Sequence, residues 1–389
     1  MFDSRTFSRA GLRAPAYTRT VTTSDLLPLL LRPAGGGVHL VSTGRDAQRE
    51  LQRRLYGAGS DGAVEARWRR DLEAAGSARA ILLGIPSDVG GGVQRGANLG
   101  PAAIRARLLD DHGPRLARAR QAGLVDLGDV FCVPQLLEDE MLSHAQLAAA
   151  RRALYPALDE EVRRELPVSP LSIAERALSL VLAQNPKVRV LALGGDHSTA
   201  LPVVRALSRV RPGLGIVQID AHTDLLPERL GILHCFGTWS YHANELIGRG
   251  GRLMQVGIRA SAHDRSHWES TLGVRQLWAA EVRGDPAGAL QAVVDQLRRA
   301  QVTAAYFSND IDGTDPAAAG ATGTPEPGGL DPEWVVALVR RVGAEIGLCG
   351  GDVMEVAPGV AHGAGDGART LATAATYLIE TVEAALGGR

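Results

Sequence analysis

The sequence predicts an α/β protein in three layers, with helices on both faces of a mainly parallel sheet. Three observations carry that expectation: continuous apolar runs rich in branched residues, helical stretches between many of them, and acidic or imidazole clusters where several runs end. The runs are Val38 to Val41, Ala80 to Ile85, Val188 to Leu193, Leu214 to Ile219, Leu253 to Ile258, Thr303 to Phe307 and Ile346 to Val356. A strand covered on both faces needs apolar side chains on both, so runs without alternation point to a parallel sheet between helices. Strand, helix, strand repetition agrees with this.

Along the chain, residues 1 to about 75 hold a Pro-Ala-Gly-Gly-Gly break at 33–37 and a charged helical segment from Arg45 to about Leu72. They are expected to form an N-terminal extension packed on a main domain of residues 76–389. Between Val133 and about Leu166, helix formers at Gln146 to Leu154 and Leu158 to Leu166 predict a helical insertion, at about 133–168. Ser169-Pro170 reads as an N-cap followed by proline at the first helical position, opening a helix toward Gln184. Pro332 to Val342 and Thr370 to Leu386 are further helices. There is no tandem repeat.

Bulk properties exclude several function classes. A net charge of -1 gives no reason to expect nucleic acid or an anionic membrane as partner. Cys132, Cys235 and Cys349 lie far apart with no C-x-x-C spacing, which argues against a disulfide scaffold and a thiolate zinc site. A reducing cytoplasm fits. The start, Met1-Phe2-Asp3-Ser4-Arg5, lacks the pattern of a signal peptide, and the run Leu26 to Leu31 is too short to cross a bilayer.

The strand ends carry the chemistry. Val188 to Leu193 runs into Gly194-Gly195-Asp196-His197-Ser198, Leu214 to Ile219 into Asp220-Ala221-His222-Thr223-Asp224, and Thr303 to Phe307 into Ser308-Asn309-Asp310-Ile311-Asp312. The last run leads into Asp352-Val353-Met354-Glu355. In an open α/β sheet, ligands collect beyond the carboxyl ends of the strands. Residues two apart in an extended segment share a face, so Asp220 with His222, and Asp310 with Asp312, can hold adjacent metals. A single such pair is ordinarily a cap or loop hydrogen bond; three at strand ends imply two ions. A carboxylate-rich set with two imidazoles suits Mn²⁺ better than zinc, with Ni²⁺ or Co²⁺ as alternatives. Two divalent ions about 3.5 to 4 Å apart share a bridging water and leave hydroxide at neutral pH, as a hydrolase needs.

Gly-Gly-Asp-His-Ser, Asp-Ala-His-Thr-Asp and Ser-x-Asp-x-Asp-x-x-Asp-Pro at Ser308 to Pro316, followed by Thr322 to Gly329, resemble the ureohydrolase family of arginase and agmatinase. Upstream, Gly84 to Asp88 and Arg95 to Arg105 look like its first strand and glycine-rich loop. The resemblance covers about Ala80 to the C-terminus and implies an arginase-like fold and trimers or hexamers. It also implies one Mn²⁺ on His197, Asp220, Asp224 and Asp310 and a second on Asp220, His222, Asp310 and Asp312, with Asp220 and Asp310 bridging. Glu355 would hold the substrate guanidinium through parallel N–H bonds, Asp224 would orient the hydroxide, and Asp196 would orient the loop or a ligand from behind.

A family histidine that shuttles a proton to the leaving amine aligns with His234, yet the usual His-Gly-Thr is here His234-Cys235-Phe236-Gly237-Thr238. Either His234 keeps that role on a longer loop, or Phe236 takes its place and His242 or water substitutes. True arginase is disfavoured, because Gly257-Ile258-Arg259 is followed by Ala260 and Ala262, with no carboxylate for an α-amino group. Trp239, Tyr241, His242 and Trp268 are candidates to line a smaller pocket. The expected activity is hydrolysis of agmatine, a guanidino acid or guanidine to an amine and urea. Formiminoglutamate hydrolysis, a silent metal-binding subunit and a mononuclear zinc deacylase are the alternatives.

Overall fold

The computed structural model describes residues 23–40 and 42–387. Its nine strands are β1 (Leu31–Arg32), β2 (Ala80–Ile85), β3 (Leu124–Val130), β4 (Arg189–Gly194), β5 (Leu214–Ile219), β6 (Leu253–Ile258), β7 (Arg275–Trp278), β8 (Ala304–Asn309) and β9 (Leu348–Val353). They form one sheet in the order β1-β3-β2-β4-β9-β8-β5-β6-β7, in which only β1, paired with β3, is antiparallel. Helices cover both faces, giving three layers.

Alternation within each strand feeds the two cores. Ile81, Leu83, Val190, Ala192 and Ile216 point to the side covered by the helices Pro170–Gln184, Ala200–Ser208 and Trp239–Ile247. Leu82, Leu191, Leu193, Val217 and Ile219 point to the side covered by Gly100–Gln121, Pro286–Arg299, Pro332–Glu345 and Asp366–Gly387. Both faces are apolar, which is why the strands read as continuous runs.

The chain passes from β4 to β5 and outward through β6 and β7, then returns to place β8 and β9 between β5 and β4. The ends of these four strands are level. Leu193 pairs with Val353, Phe307 with Gly351, and Ile219 with Asn309. One level row of strand ends is what lets four separate loops meet.

Two expectations about strands need correction. Val38 forms only an isolated bridge to Cys132, and Val41 lies outside the described residues. The edge is filled instead by Leu31 and Arg32, paired with Val130 and Asp129. β3 and β7 were not among the expected strands. In β3, Asp126, Gly128 and Asp129 interrupt the apolar run; in β7, Arg275 and Gln276 make it a polar edge strand.

Those interruptions in β3 have a partner. Arg105, from the first turns of the helix Gly100–Gln121, is buried and donates through Nε and Nη2 to the two oxygens of Asp126, at 2.9 Å each, and through Nη1 to Asp129. The other Asp129 oxygen accepts from the backbone N–H of Gly35 at 2.7 Å and Gly37 at 3.3 Å. Asp129 therefore ties the N-terminal segment to the sheet. Trp68 reinforces this: its indole N–H donates to the Leu127 carbonyl at 2.8 Å, in the middle of β3. The expected helical segment is two helices, Arg45–Tyr56 and Asp61–Ala74.

Between β3 and β4, Ser143 and Gln146 form a reciprocal capping box at the start of the helix His144–Leu154, and a short helix follows at Glu160–Arg164. Asp139 accepts from the N–H groups of Val168 at 3.1 Å and Ser169 at 2.9 Å, fastening the end of that excursion back to the domain.

Replacing Arg105 by methionine leaves two carboxylates uncompensated in the interior and is expected to destabilise the fold by about 3–5 kcal/mol in chemical denaturation at neutral pH. Burial already raises the Asp129 pKa, and Arg105 opposes that rise. Without the guanidinium the folded-state pKa climbs further above the unfolded one, so stability is present at low pH and lost as pH increases. The deficit of the variant should shrink toward about pH 4; an unchanged deficit across that range would contradict the assignment.

Candidate metal centre

Each strand end turns sharply, and each turn is stabilised by the side chain it presents. After β4, Gly194 presses against the Met354 and Thr199 side chains and Gly195 against the Ser87 backbone, whose carbonyl oxygen a Cβ on Gly195 would strike. Asp196 then caps the turn His197–Thr199 by accepting from the Ser198 N–H at 2.9 Å. This agrees with the expectation that Asp196 orients the loop. After β8, Asp310 accepts from the Asp312 N–H at 2.9 Å and caps the turn Ile311–Gly313. Asp310 and Asp312 are thus presented by a tight turn, not by extended alternation. After β5, Asp220 accepts from the His222 N–H at 2.6 Å.

These turns bring the residues together. His197 Nδ1 lies 2.9 Å from Asp310, 3.3 Å from Asp220 and 3.6 Å from Asp224. His222 Nδ1 lies 3.1 Å from Asp312 and 3.6 Å from Asp220. Ligand atoms of His197, Asp220 and Asp310 fall within 4.8 Å of one another, as do those of Asp220, His222 and Asp312. Asp220 belongs to both groups. Asp224 and Glu355 both adopt left-handed backbone, at φ 51° and 60°, which is costly outside glycine and recurs at functional sites.

Electrostatics show that such a cluster could hold cations. Burial and the charges of Asp312 and Asp220 push the Asp310 carboxyl well above the ordinary range; burial and Asp220 do the same for Asp224. Burial also acts to raise Asp220, but hydrogen bonds with His197 and His222 outweigh it and hold that group low. Burial works against a charge on His222, yet its bonds with Asp220 and Asp312 raise it to about 12. Among the described residues, no lysine or arginine forms an ion pair with Asp220, Asp224, Asp310 or Asp312. Four carboxylates and two imidazoles facing one another are a hard, oxygen-rich donor set that fits a pair of divalent ions.

The donors are aimed from behind. His197 Nε2 meets the Ser308 hydroxyl at 2.9 Å, and that hydroxyl lies 3.0 Å from the Asp352 carboxylate, which also accepts from the Tyr306 hydroxyl at 2.7 Å. Nδ1–H donates to Asp310 and Asp220 here; with a metal bound, donation from Nε2–H to Ser308 and from Ser308 to Asp352 would hold the tautomer whose Nδ1 faces the ion. Gln218 Nε2 donates to Asp220 at 2.8 Å, and Thr324 donates to Asp312 at 3.0 Å. The Trp239 indole stacks on His197, centroids 4.4 Å apart, while its N–H donates to Asp224 at 3.1 Å. Sequence reasoning did not assign Ser308, Asp352 or Gln218 a role. The signal was a polar residue inside a buried strand two positions before a ligand, as Ser308 precedes Asp310 and Gln218 precedes Asp220.

From β9, Glu355 reaches the same cluster and accepts from the His197 N–H at 2.9 Å. Burial and the neighbouring Asp310 and Asp196 push its carboxyl well above the usual range. His234 stands elsewhere: Nδ1 bonds to Glu138, and Nε2 receives an N–H of Arg205 at 2.9 Å. An arginine can only donate, so Nε2 is unprotonated and Nδ1 carries the proton. Glu138, Glu140 and His234 could by spacing hold an ion, but Arg205 already donates to Glu138 at 2.8 Å and Glu140 is exposed.

A family model described as the Arginase family matches residues 78–382. The chain is 31% identical to the proclavaminate amidinohydrolase of Streptomyces clavuligerus over 294 residues, 73% of this chain and 82% of that protein. It is 28% identical to a guanidinobutyrase of Pseudomonas aeruginosa, over 72% of this chain and 79% of the relative. The crystal structure of the Streptomyces enzyme superposes with a TM-score of 0.59 at 30% identity, covering 79% of this chain and 92% of that one. The formimidoylglutamase of Bacillus subtilis shares the fold at a TM-score of 0.62 and 17% identity, over 98% of this chain and 97% of its own.

Ser308→Ala and Asp352→Asn are each expected to lower divalent-metal affinity by about 10–100-fold, because the imidazole behind them loses its fixed orientation. Calorimetric Mn²⁺ titration measures this, with circular dichroism confirming the fold; unchanged affinity in both variants would remove the relay from the site.

Proposed function

The chain belongs to the arginase family, and from that premise we propose a binuclear-manganese amidinohydrolase that cleaves a guanidino compound to an amine and urea. It is a hydrolase acting on amidino C–N bonds, and no helix among the described residues is long and apolar enough to cross a membrane. The observation that supports the reading best is the pair of donor groups sharing Asp220 at the ends of β4, β5 and β8, with Glu355 arriving from β9 beside them. The ligand sets we propose are His197, Asp220, Asp224 and Asp310 for one ion and Asp220, His222, Asp310 and Asp312 for the other.

Two bound divalent ions would supply a water ionised at neutral pH and positive charge for the developing tetrahedral centre. The chain's own residues do the rest. Glu355 has one carboxylate oxygen committed to the His197 N–H, which fixes its rotamer and leaves the other to accept from the guanidinium. Asp224, held by the Trp239 indole, offers its second oxygen to the attacking water. The leaving nitrogen takes up a proton as its C–N bond breaks, so that guanidinium and water give an ammonium and urea. His234 can deliver that proton only once its ring turns away from Arg205, whose N–H occupies Nε2. We read residues 1–75 as an N-terminal extension and 133–168 as a helical insertion of this one domain, in a reducing compartment that suits three buried free cysteines.

The test is urea release by the manganese-loaded protein from guanidine, agmatine, guanidino acids and arginine, with formamide release from formiminoglutamate in parallel. Urea is expected from at least one guanidino compound, with activity lost to a chelator and restored by Mn²⁺ at two ions per chain. Glu355→Gln should lower kcat/KM by about 10–100-fold, the value of a charge-assisted contact. No urea from any compound would favour a silent subunit, and formamide alone a formiminoglutamase.

A further inference from the structure

Beside the metal centre, the turn at Gly90–Gly92, the insertion and the loop at 229–236 enclose a cavity of about 530 Å³. Its floor is the backbone of Gly90, where a Cβ would come within 2.6 Å of the Ser198 hydroxyl and 3.0 Å of an Asp196 oxygen. Those residues flank His197 on either side. The loop that follows Asp224 forms a wall, and its Phe236 N–H donates to the Gly90 carbonyl at 3.0 Å. The cavity lining therefore packs directly on the residues that flank one proposed ligand and includes the loop that follows another.

Three charged residues line it: Arg95, Arg229 and Glu138. Glu138 is spent. It receives Arg205 Nη1 at 2.8 Å and the His234 ring N–H, and these bonds outweigh burial to hold its pKa below the ordinary range. Arg95 donates to the Asp88 carbonyl, and the Arg229 guanidinium lies over the Phe236 ring, 4.9 Å from its centroid. Among the described residues neither forms an ion pair with a carboxylate. The wall thus presents two exposed guanidinium groups that no carboxylate ion-pairs among the described residues, interleaved with apolar surface from Leu136, Ile232 and Phe236 that suits methylene groups.

Resting on the hydrolase reading above, we propose that this cavity receives the far end of the substrate and that the end is anionic: a short chain from the guanidinium terminating in a carboxylate that Arg95 and Arg229 bind. An ammonium terminus would face two like charges, and the one carboxylate among the lining residues, Glu138, is already bonded to Arg205 and His234. Arginine offers up to two parallel donors to a carboxylate, which fixes both its position and its charge. The residues that select the substrate come from the glycine-rich loop and the 229–236 loop, while the insertion closes the wall and neutralises its own glutamate through Arg205 and His234.

Guanidinobutyrate and agmatine carry the same guanidinium and differ at the other end in the sign of charge. With the manganese-loaded full chain, kcat/KM is expected to favour guanidinobutyrate by about tenfold or more, and Arg229→Gln and Arg95→Gln each to raise its KM by about tenfold with kcat little changed. Arg229→Lys should recover part of the loss. Arg229→Glu should improve agmatine as a substrate, a gain that damage to the fold cannot produce. Agmatine used as well as or better than guanidinobutyrate by the native protein would overturn the proposal while leaving the hydrolase reading intact, as would arginine variants with an unchanged KM. Urea from neither, nor from any other guanidino compound, would overturn both.

Discussion

Repulsion among carboxylates confined at the level ends of β4, β5, β8 and β9 is the constraint on which the rest of the structure depends. Asp220, Asp224, Asp310 and Asp312 are buried within reach of two imidazoles; burial and neighbouring carboxylates push the Asp224 and Asp310 carboxyls up, while hydrogen bonds with the imidazoles hold Asp220 low. Such a cluster persists because every member is fastened by groups that ask nothing of the metal: Gln218 and a backbone N–H on Asp220, Trp239 on Asp224, the Asp312 N–H on Asp310 and Thr324 on Asp312. Unfavourable backbone at Asp224 and Glu355 is part of the same arrangement. The cost is carried by a sheet whose central strands are apolar on both faces and whose register leaves little room for slippage.

How much of this could be read in the sequence follows from range. β2, β5 and β6 begin and end where the apolar runs do, because a strand buried on both faces writes its own limits. β3 was hidden because Asp126 and Asp129 break its run, and their presence makes sense only with Arg105, more than twenty positions earlier on a helix. The same holds at the site. Strand-end clusters are local and could be recognised as neighbours by topology alone. The Ser308–Asp352 pair spans 44 residues, and Glu138 meets His234 across 96. No periodicity encodes such pairings.

His234 shows the limit most clearly. The family resemblance marks it for proton delivery, yet in the fold both ring nitrogens are taken, one by Glu138 from the stretch between β3 and β4 and the other by an arginine of the helix Ala200–Ser208. The stretch between β3 and β4 supplies the partner, Glu138, that the loop before Gly237-Thr238 reaches. A residue type at a familiar spacing states what chemistry is available; the neighbours decide whether it is free to act.

Two parts of the molecule are thus built on different principles. The centre is made from strand ends, where register and the groups behind each donor set its position. The cavity beside it is made from the 89–95 turn, the 135–142 stretch and the 229–236 loop, held by a handful of contacts such as Phe236 on Gly90 and Arg205 on Glu138. A scaffold that fixes the chemistry and leaves loops to choose what enters can change substrate without disturbing the reacting atoms. The fold shared with a formimidoylglutamase extends over nearly the whole chain, whereas the 30%-identical amidinohydrolase covers 79% of it. Overall shape therefore cannot decide between substrates, and the charge on the cavity wall, two arginines against one satisfied glutamate, is the feature of this chain that bears on the choice.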